Sequence, residues 1–469
     1  TSNVAVGSHS LAATTTGGSN TAVGKEALQS NTTADNNTAV GRSALKLNTT
    51  GYSNSAIGAN SLDANTTGTA NSAFGHNALS ANTTATQNTA VGYSALKTNI
   101  TGTHNTAVGG IALEVNTTGS TNVAVGFATL DANTTGASNT GLGAYALSFN
   151  TTGVANTAVG KDALLANTTG SQNTALGYES LKAHTTSADC VAVGYQSQLA
   201  TTTGAANVSL GMGSLRTITT SSNNTAIGTA SQYISTAANN TSVGSESLRY
   251  STTGAENVAV GAAALSSLTT GAGNTAIGYE SGAYNNNYPT TGNNNTILGA
   301  YSRLSAAAQS QQILIGYDAI TSHNTNTPHA QFNYGIGTWT KVQVGSTSWA
   351  SSSDERIKED IQDSTLGLTF IDALQPRTFK FKKQKDILPT TLNSYKEGSE
   401  ERANGGTETH HYGFIAQELK AVIDERSDVL DNAELWSESL DGTQAVSQQA
   451  LIPVLVKAIQ ELSTKNDAL

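Results

Sequence analysis

Charged residues make up only 12% of this 469-residue chain, so candidates for acid–base chemistry or metal binding are scarce. The single cysteine, Cys190, excludes an intrachain disulfide framework and a cysteine-rich metal site. The acidic residues show no metal-ligand spacing, so neither a metal nor a cofactor is expected. Near the C-terminal end, Ser353 and Lys358 offer a hydroxyl and an amine five residues apart. Their spacing alone favours a simpler interpretation, because Ser352-x-x-Glu355 is a capping box that starts a helix.

The charge distribution divides the chain near residue 351. Asp, Glu, Lys and Arg number 22 in residues 1–350 and 34 in residues 351–469, and the change falls in a serine-rich stretch. The net charge of −10 argues against nucleic-acid binding. No apolar run approaches the roughly 18 residues of a membrane span. We therefore predict a shaft over 1–320, a neck over 321–350 and a C-terminal domain over 351–469. Since neither an initiator Met nor a signal peptide is present, we expect a portion of a longer protein.

A repeat of 17 residues fills the first region. Near-copies of Asn-Thr-Ala-Val-Gly recur, and the spacing of the closing glycine, here called the coil glycine, departs from 17 in only two steps. A leucine usually stands four residues after the coil glycine, and an Asn-Thr-Thr triplet follows it. The 19 coil glycines are Gly7, Gly24, Gly41, Gly58, Gly75, Gly92, Gly109, Gly126, Gly143, Gly160, Gly177, Gly194, Gly211, Gly228, Gly244, Gly261, Gly278, Gly299 and Gly316.

Seventeen residues suit one coil of a β-solenoid, and short runs of Val, Thr and Ile between Gly and Asn favour strands and turns. Side chains alternate across a strand, so we predict Val23 and Leu28 inside the coil and Ala22 facing another chain. The coil glycine fits a turn that needs a positive φ. Asn20 and its equivalents are expected to form a ladder of amides. The Asn-x-Thr triplets also match glycosylation acceptors, although turn residues are the favoured interpretation.

The predicted shaft is a rod of roughly 90 Å, but each coil is thin. Burying its two core residues contributes about 1.5–3 kcal/mol each, whereas ordering 17 residues costs on the order of 17–34 kcal/mol. We therefore predict an all-β homotrimer in which several chains share the core. Single-chain coils and an intertwined triple β-helix both remain open. The repeat resembles the coils of trimeric adhesin heads and the arrays of phage and giant-virus fibre proteins.

The neck and the C-terminal domain have ordinary element patterns. Around Phe332 and Lys341 the neck alternates like short strands, and Trp339 and Trp349 either stack about the fibre axis or pack locally. For the α+β C-terminal domain we predict a helix at 370–374, a strand at 378–382, a mobile loop at 385–406, a helix entered at 412 and a last helix from about 450. The 3-4-3 spacing of Ile452, Leu455, Ile459 and Leu462 indicates either a trimeric coiled coil or packing within the domain.

The C-terminal domain contains four ordered motifs: Ser353-Asp-Glu-Arg-Ile-Lys-Glu-Asp-Ile361, Ile371-Asp-Ala-Leu-Gln-Pro376, Tyr412-Gly-Phe-Ile-Ala-Gln-Glu418 and Leu451-Ile-Pro-Val-Leu-Val-Lys-Ala-Ile-Gln460. In this order they resemble the peptidase S74 family, the intramolecular chaperones of endosialidases and related tail fibres. The resemblance covers essentially all of 351–469. It implies trimer assembly followed by self-cleavage at a peptide bond beside Ser353.

The resemblance also implies a Ser–Lys dyad, whose matching positions are Ser353 and Lys358. A serine hydroxyl becomes a nucleophile when a base removes its proton, and a lysine serves if burial keeps it neutral. On one straight helix the two would not face each other, so Ser353 should lie just before the helix. His410 and His411 either polarise the scissile region or are surface loop residues.

These patterns together predict a phage-type tail fibre with a removable assembly domain. The expected partners are two further copies of the chain, other virion tail proteins and a host receptor such as a glycan, without nucleic acid or membrane insertion. The expected location is the virion, after assembly in the host cytoplasm. The alternatives are a cellular trimeric adhesin, a tailspike whose enzymatic domain lies outside this stretch, and a membrane-bound transcription factor with the same self-cleaving domain.

Overall fold

The computed structural model describes residues 2–282, 291–304, 306–320, 361–387, 396–403, 409–427, 429, 435–438 and 443–468, with the backbone alone at 329–333 and 339–343. The chain divides into two compact units, Thr1–Ser352 and Ser353–Leu469. Among the described residues, no helix combines the length and the apolar character that crossing a membrane requires.

The first unit is a parallel β-solenoid wound by one chain. Each strand pairs with the strand of the next coil, as where Thr21, Ala22 and Val23 lie opposite Thr38, Ala39 and Val40. The predicted solenoid of 17-residue coils is confirmed, and its coils are single-chain. The strands β1–β19 are Val4–Val6, Thr21–Val23, Thr38–Val40, Ser55–Ile57, Ser72–Phe74, Thr89–Val91, Thr106–Val108, Val123–Val125, Thr140–Leu142, Thr157–Val159, Thr174–Leu176, Val191–Val193, Val208–Leu210, Thr225–Ile227, Thr241–Val243, Val258–Val260, Thr275–Ile277, Thr296–Leu298 and Gln312–Ile315.

The strand faces are the reverse of those predicted. Ala22 is completely buried and Val23 is half-exposed on the outside, whereas Leu28 is buried as expected. At this coil the inner side of the strand has room only for a methyl group, because Leu28 fills the space from the opposite wall. Where glycine replaces that leucine, as at Gly282, the next strand carries the larger Ile297 inside. The expectation of a core shared between chains is therefore wrong, because each chain closes its own interior.

Two ladders of buried asparagines run along the interior. In the first, the Asn37 backbone N–H donates to Asn20 Oδ1 at 2.9 Å, as predicted. In the second, Asn48 Nδ2 donates to Asn31 Oδ1 at 3.1 Å and to Gly51 O at 2.9 Å. Both hydrogens of the Asn48 amide are thus used, and its side chain is inaccessible to solvent. This arrangement supports the turn interpretation of the Asn-Thr-Thr triplets over glycosylation.

Positive φ angles turn the chain at the corners of every coil. Gly24 has a φ of +135°, as predicted, and a Cβ there would lie 2.5 Å from Gly41 O. Three residues of the same coil have positive φ angles although they are not glycines: Glu26 at 62°, Leu28 at 52° and Asn36 at 60°. Such angles disfavour an L-residue, so each coil contains local backbone strain.

Core substitutions occur in compensating pairs. The alanines that face each other in most coils, such as Ala112 and Ala124, are replaced one coil later by Thr129 and Gly141, and a Cβ on Gly141 would lie 2.6 Å from Thr129 Cγ2. In another coil, Gln198 replaces the leucine that usually stands four residues after the coil glycine. Its Nε2 donates to Ser209 Oγ, at the inner position of the next strand, at 2.8 Å. These pairs show that the interior is packed closely enough for a single methyl group to matter.

His184 stands where the second asparagine ladder ends, one coil after Asn167 and one coil before Thr201. Its Nε2 lies 3.0 Å from Ser187 O and donates to it, which leaves Nδ1 buried without a partner. Asn167 Oδ1 and Thr201 Oγ1, on the coils before and after, are likewise buried without hydrogen-bond partners. Burial lowers the pKa of His184. The ladder is thus weakest at this coil, because unpartnered buried polar atoms are costly.

We expect His184→Asn to stabilise the solenoid by about 1–3 kcal/mol. An asparagine there would donate to Asn167 Oδ1 and to Ser187 O, as Asn167 Nδ2 does to Asn150 Oδ1 at 2.8 Å and Gly170 O at 3.0 Å. Denaturant unfolding followed by circular dichroism measures the change.

The same substitution should remove a dependence on pH. Because the folded pKa of His184 is lowered, stability is fully present above the unfolded value of about 6.5 and is lost as the pH falls through the folded value. The matched control is His104→Asn at an exposed histidine, which should leave the pH profile unchanged. Equal profiles for the parent chain and His184→Asn would contradict the assignment.

Two backbone strands follow the coils. The strand β20 (His329–Asn333) pairs in parallel with β19, and β21 (Trp339–Gln343) returns antiparallel to β20. They overlap the stretches that the sequence predicts as strands. The predicted stacking or packing of the two tryptophans concerns side chains outside the described residues.

The second unit contains helices and two-stranded antiparallel sheets. Its elements are α1 (Leu368–Ala373), β22 (Arg377–Phe379), a 3-10 helix (Gln384–Asp386), β23 (His411–Gly413), α2 (Ala416–Asp424), β24 (Trp436–Glu438), β25 (Gln444–Val446) and α3 (Leu451–Asp467). The strands β22 and β23 pair antiparallel, as do β24 and β25. Phe370, Leu419, Leu451 and Val454 form the core of the unit.

Most predicted elements of this unit are present, with shifted boundaries. The helix expected to be entered at Tyr412 begins only at Ala416, because Tyr412 lies in β23 and pairs with Thr378. The strand expected to reach residue 382 ends at Phe379. Aromatic residues such as Tyr412 favour strands. The helical spacing of the apolar residues that follow does not show where the preceding strand ends.

Candidate functional site

Ser353 and Lys358 lie outside the described residues, as does the capping box at Ser352 and Glu355. The dyad therefore stays a prediction. Of the two histidines, His410 is exposed. His411 instead lies in β23.

The His411 ring packs in an aromatic cluster with Phe379 of β22 and with Phe381, which follows that strand. It stacks on Phe379 with ring centroids 6.1 Å apart and lies edge-on to Phe381 at 5.2 Å. Its Nε2 is buried without a hydrogen-bond partner. The expectation of a surface loop is wrong for this residue, because the ring is held between aromatic side chains.

Three of the four sequence motifs meet around one apolar cavity of about 610 Å³. Ile371 and Pro376 come from the second motif, Tyr412 and Phe414 from the third, and Leu455 from the fourth. Tyr412 is 85% exposed, so it stands at the rim. Packing thus brings these three motifs together, although the second motif ends 75 positions before the fourth begins.

Two charged contacts hold these motifs in place. The Arg377 guanidinium binds both carboxylate oxygens of Glu418, with Nε to Oε2 at 2.9 Å and Nη2 to Oε1 at 2.8 Å. This hydrogen-bonded pair lowers the pKa of Glu418. Glu461 of α3 accepts a hydrogen bond at 2.8 Å from the backbone N–H of Leu368, and so caps the start of α1. The first contact joins β22 to α2, and the second joins α3 to α1.

Backbone hydrogen bonds and an exposed ion pair hold part of the loop predicted at 385–406, as where the Gln384 N–H donates to Glu401 O at 2.7 Å. Glu400 accepts hydrogen bonds from Lys383, at 2.5 Å, and from Lys385. These two ammonium groups lower the pKa of Glu400 to about 2. Residues 396–403 therefore pack back on the 3-10 helix, whereas the rest of the predicted loop lies outside the described residues.

The helix α3 has two apolar faces. Leu451, Val454 and Ala458 are buried where the helix packs against α1 and the core of the unit. The adjoining side of the helix is exposed and carries the residues predicted as a coiled-coil seam, here called the α3 seam: Ile452, Leu455, Ile459 and Leu462, whose exposed fractions are 57%, 43%, 66% and 54%. An apolar stripe that remains open when the other face is already packed is typical of a helix with a further partner.

Sequence reasoning missed Arg377, Glu418 and Glu461 as structural contacts. Glu418 lies in the third motif, so its presence there was the available signal. Glu461 follows Leu451, Val454 and Ala458 at helical spacing, which marks the inner face of α3. Neither signal identifies the partner, because the bond between Leu368 and Glu461 spans 93 residues.

The fold and the small C-terminal unit together fit a fibre-like protein of the phage tail type. Residues 353–427 match the family model described as peptidase S74, chaperone of endosialidase. The C-terminal unit therefore contains a domain of this family, which confirms the resemblance for the first three motifs. The fourth motif, from Leu451, lies beyond the matched residues. No curated protein and no solved structure shows significant similarity to the chain.

Proposed function

We propose that the chain is a homotrimeric tail-fibre protein whose C-terminal unit assembles the trimer and then removes itself. The observation that carries this proposal is the match of residues 353–427 to the endosialidase chaperone family directly after a repetitive β-solenoid. A shaft of nearly identical coils can pair in several registers at similar free energy. A C-terminal unit that trimerises first would align the chains before the coils form.

The α3 seam supports the assembly role. Three copies of this helix could bury Ile452, Ile459 and Leu462 together in a short bundle, as the 3-4-3 spacing requires. The inner face of α3 would stay packed on its own unit, because Glu461 and Val454 already have partners there. One helix would thus serve both the fold of the unit and the contact between copies.

Self-cleavage by Ser353 and Lys358 is the second part of the proposal. A neutral Lys358 amine would take the proton of Ser353 Oγ as the oxygen attacks the carbonyl carbon of an adjoining peptide bond. The C–N bond of that peptide would then break, its nitrogen would leave as an amine with the proton returned by Lys358, and water would hydrolyse the resulting ester to a free carboxylate and the serine hydroxyl. Removing the assembly unit would make unfolding of the shaft kinetically irreversible. The family match supports this peptidase activity.

Attachment to a host surface is the third part. A long rigid shaft on a virion tail would present its surface to a receptor, after assembly in the host cytoplasm and alongside other tail proteins. A cellular trimeric adhesin and a tailspike with an enzymatic domain elsewhere are the competing functions. The family match favours the fibre and tailspike classes over the adhesin.

We expect Ile459→Asp to prevent trimer assembly. A carboxylate at the centre of the α3 seam would have to be buried without a partner, which costs several kcal/mol per copy. On denaturing gels without boiling, the SDS-resistant trimer of the shaft should fall at least tenfold.

The matched control is Gln460→Asp, at the next exposed position of α3 and outside the seam. It should assemble like the parent chain. If Ile459→Asp forms the same amount of resistant trimer as Gln460→Asp, the proposed role of the seam is wrong.

A further inference from the structure

One outer face of the solenoid carries an apolar row along its whole described length. The residue directly before each coil glycine points outward, is apolar in all 19 coils and is fully buried in none. We call these residues the valine row: Val6, Val23, Val40, Ile57, Phe74, Val91, Val108, Val125, Leu142, Val159, Leu176, Val193, Leu210, Ile227, Val243, Val260, Ile277, Leu298 and Ile315. Several members are nearly half exposed, among them Leu142, Leu176 and Leu210 with 46%, 46% and 48% exposure.

A second uncharged row lies beside it. Two residues earlier on each strand stands Thr, Ser, Val or Ile, and this side chain also points outward. None of the 38 residues at these two positions of β1–β19 is charged. The two rows lie about 7 Å apart, because alternate residues of a strand share a face.

The charged residues of the coils all lie on the other sides of the solenoid. They stand between one and twelve residues after their coil glycine, as Lys25, Asp35 and Lys46 do after Gly24 or Gly41. Several of them form ion pairs there, such as Lys46 with Glu26 at 2.9 Å. The charged side chains of the coils thus lie on the other outer surfaces, and the face that carries the valine row has none.

We propose that the valine row is the contact face between parallel copies of this chain in the fibre shaft. The partner must offer a flat, uncharged strip with the same repeat along the same length, and a second copy in register has such a strip. The inference rests on the proposed homotrimer and adds to it which surface of the shaft the copies share.

The size of the face agrees with this partner. Eighteen steps of about 4.8 Å and a strand width of about 10 Å give a strip of roughly 860 Å². A stable interface buries about 800 Å² per partner. Since each chain closes its own interior, the association of solenoids depends on this outer strip. The small alanines predicted for the contact are inside, and the larger residues of the valine row take that role.

Charge placed in the row should prevent association. The variant Val91→Asp with Val123→Asp puts two carboxylates on the face, one in each row, at side chains that are 36% and 37% exposed. The control, Val115→Asp with Val154→Asp, changes valines that are 37% and 41% exposed and lie on other sides of the coil. Analytical ultracentrifugation gives the mass of each chain, and circular dichroism reports whether the solenoid has folded.

The first variant should lose at least tenfold in association while the control remains trimeric. Equal association of both would overturn the assignment of the face and leave the homotrimer standing. A parent chain that is monomeric would overturn the proposed function as well. If the parent chain is a folded monomer whose valine row binds vesicles or another tail protein, the proposed contact between copies is also wrong.

Cysteine crosslinking tests the face without adding charge. Val159→Cys, in the row, and Val154→Cys, outside it, are compared in a chain that also carries Cys190→Asn, since Cys190 occupies a buried position of the first asparagine ladder. A short bismaleimide should link copies at residue 159 at least fivefold more than at residue 154. Equal linking at both positions would contradict the proposal.

Discussion

Gly109→Ala should destabilise the solenoid by about 2–6 kcal/mol, as the sum of backbone strain and overpacking. Gly109 has a φ of +138°, and a Cβ there would lie 2.3 Å from Gly126 O in the next coil. The clash is with backbone, so no side chain can move to relieve it. Chemical unfolding followed by circular dichroism should show the loss, together with a lower yield of soluble chain.

The neighbouring glycine provides the control. A Cβ on Gly110 would meet only the ring of Phe127, at 3.5 Å, which is ordinary contact. Gly110→Ala should therefore unfold like the parent chain. If the two alanine variants prove equally stable, the conformation assigned to the coil glycines is wrong.

Ser353→Ala should abolish self-cleavage, with a loss of about 10³-fold or more, because removal of a nucleophile leaves only weak residual catalysis. Boiled samples on denaturing gels should show one full-length chain in place of two fragments. The uncleaved trimer should still assemble, since the α3 seam is unchanged. Mass spectrometry of the fragments of the parent chain would identify which bond beside Ser353 is cut.

Two further variants separate catalysis from folding. Ser352→Ala changes the adjacent serine and should cleave normally. Lys358→Arg keeps the positive charge but cannot supply a neutral amine, so it should assemble without cleaving. Cleavage by Ser353→Ala or by Lys358→Arg would exclude the proposed dyad.

The sequence predicted the periodic features of the shaft because they depend on local rules. The 17-residue period, the positive φ of Gly24 and the ladder through Asn20 all follow from residue types at fixed spacing. The side of the strand that faces inward does not follow from them. Alternation defines two faces, and only the width of the coil decides that Ala22 fits inside and Val23 does not.

The C-terminal unit shows the same limit over longer distances. The seam of α3 was visible as a spacing of apolar residues, whereas the cap that Glu461 gives to Leu368 depends on how distant segments pack. The boundary of α2 was misplaced because Tyr412 pairs with Thr378 in another part of the chain. Family motifs located the candidate nucleophile and base, whose positions lie outside the described residues.

The strained corners bear on how the shaft grows. In the coil after Gly24, the positive φ angles of Glu26, Leu28 and Asn36 cost roughly 3–6 kcal/mol together. Much of the compensating hydrogen bonding arises only when the next coil is in place, as where the Leu28 N–H donates to Ala44 O at 3.0 Å. Formation of the first coils is therefore a nucleation barrier, and elongation by each later coil is downhill. Duplicating or deleting whole 17-residue units should consequently change the length of the fibre without altering how it folds.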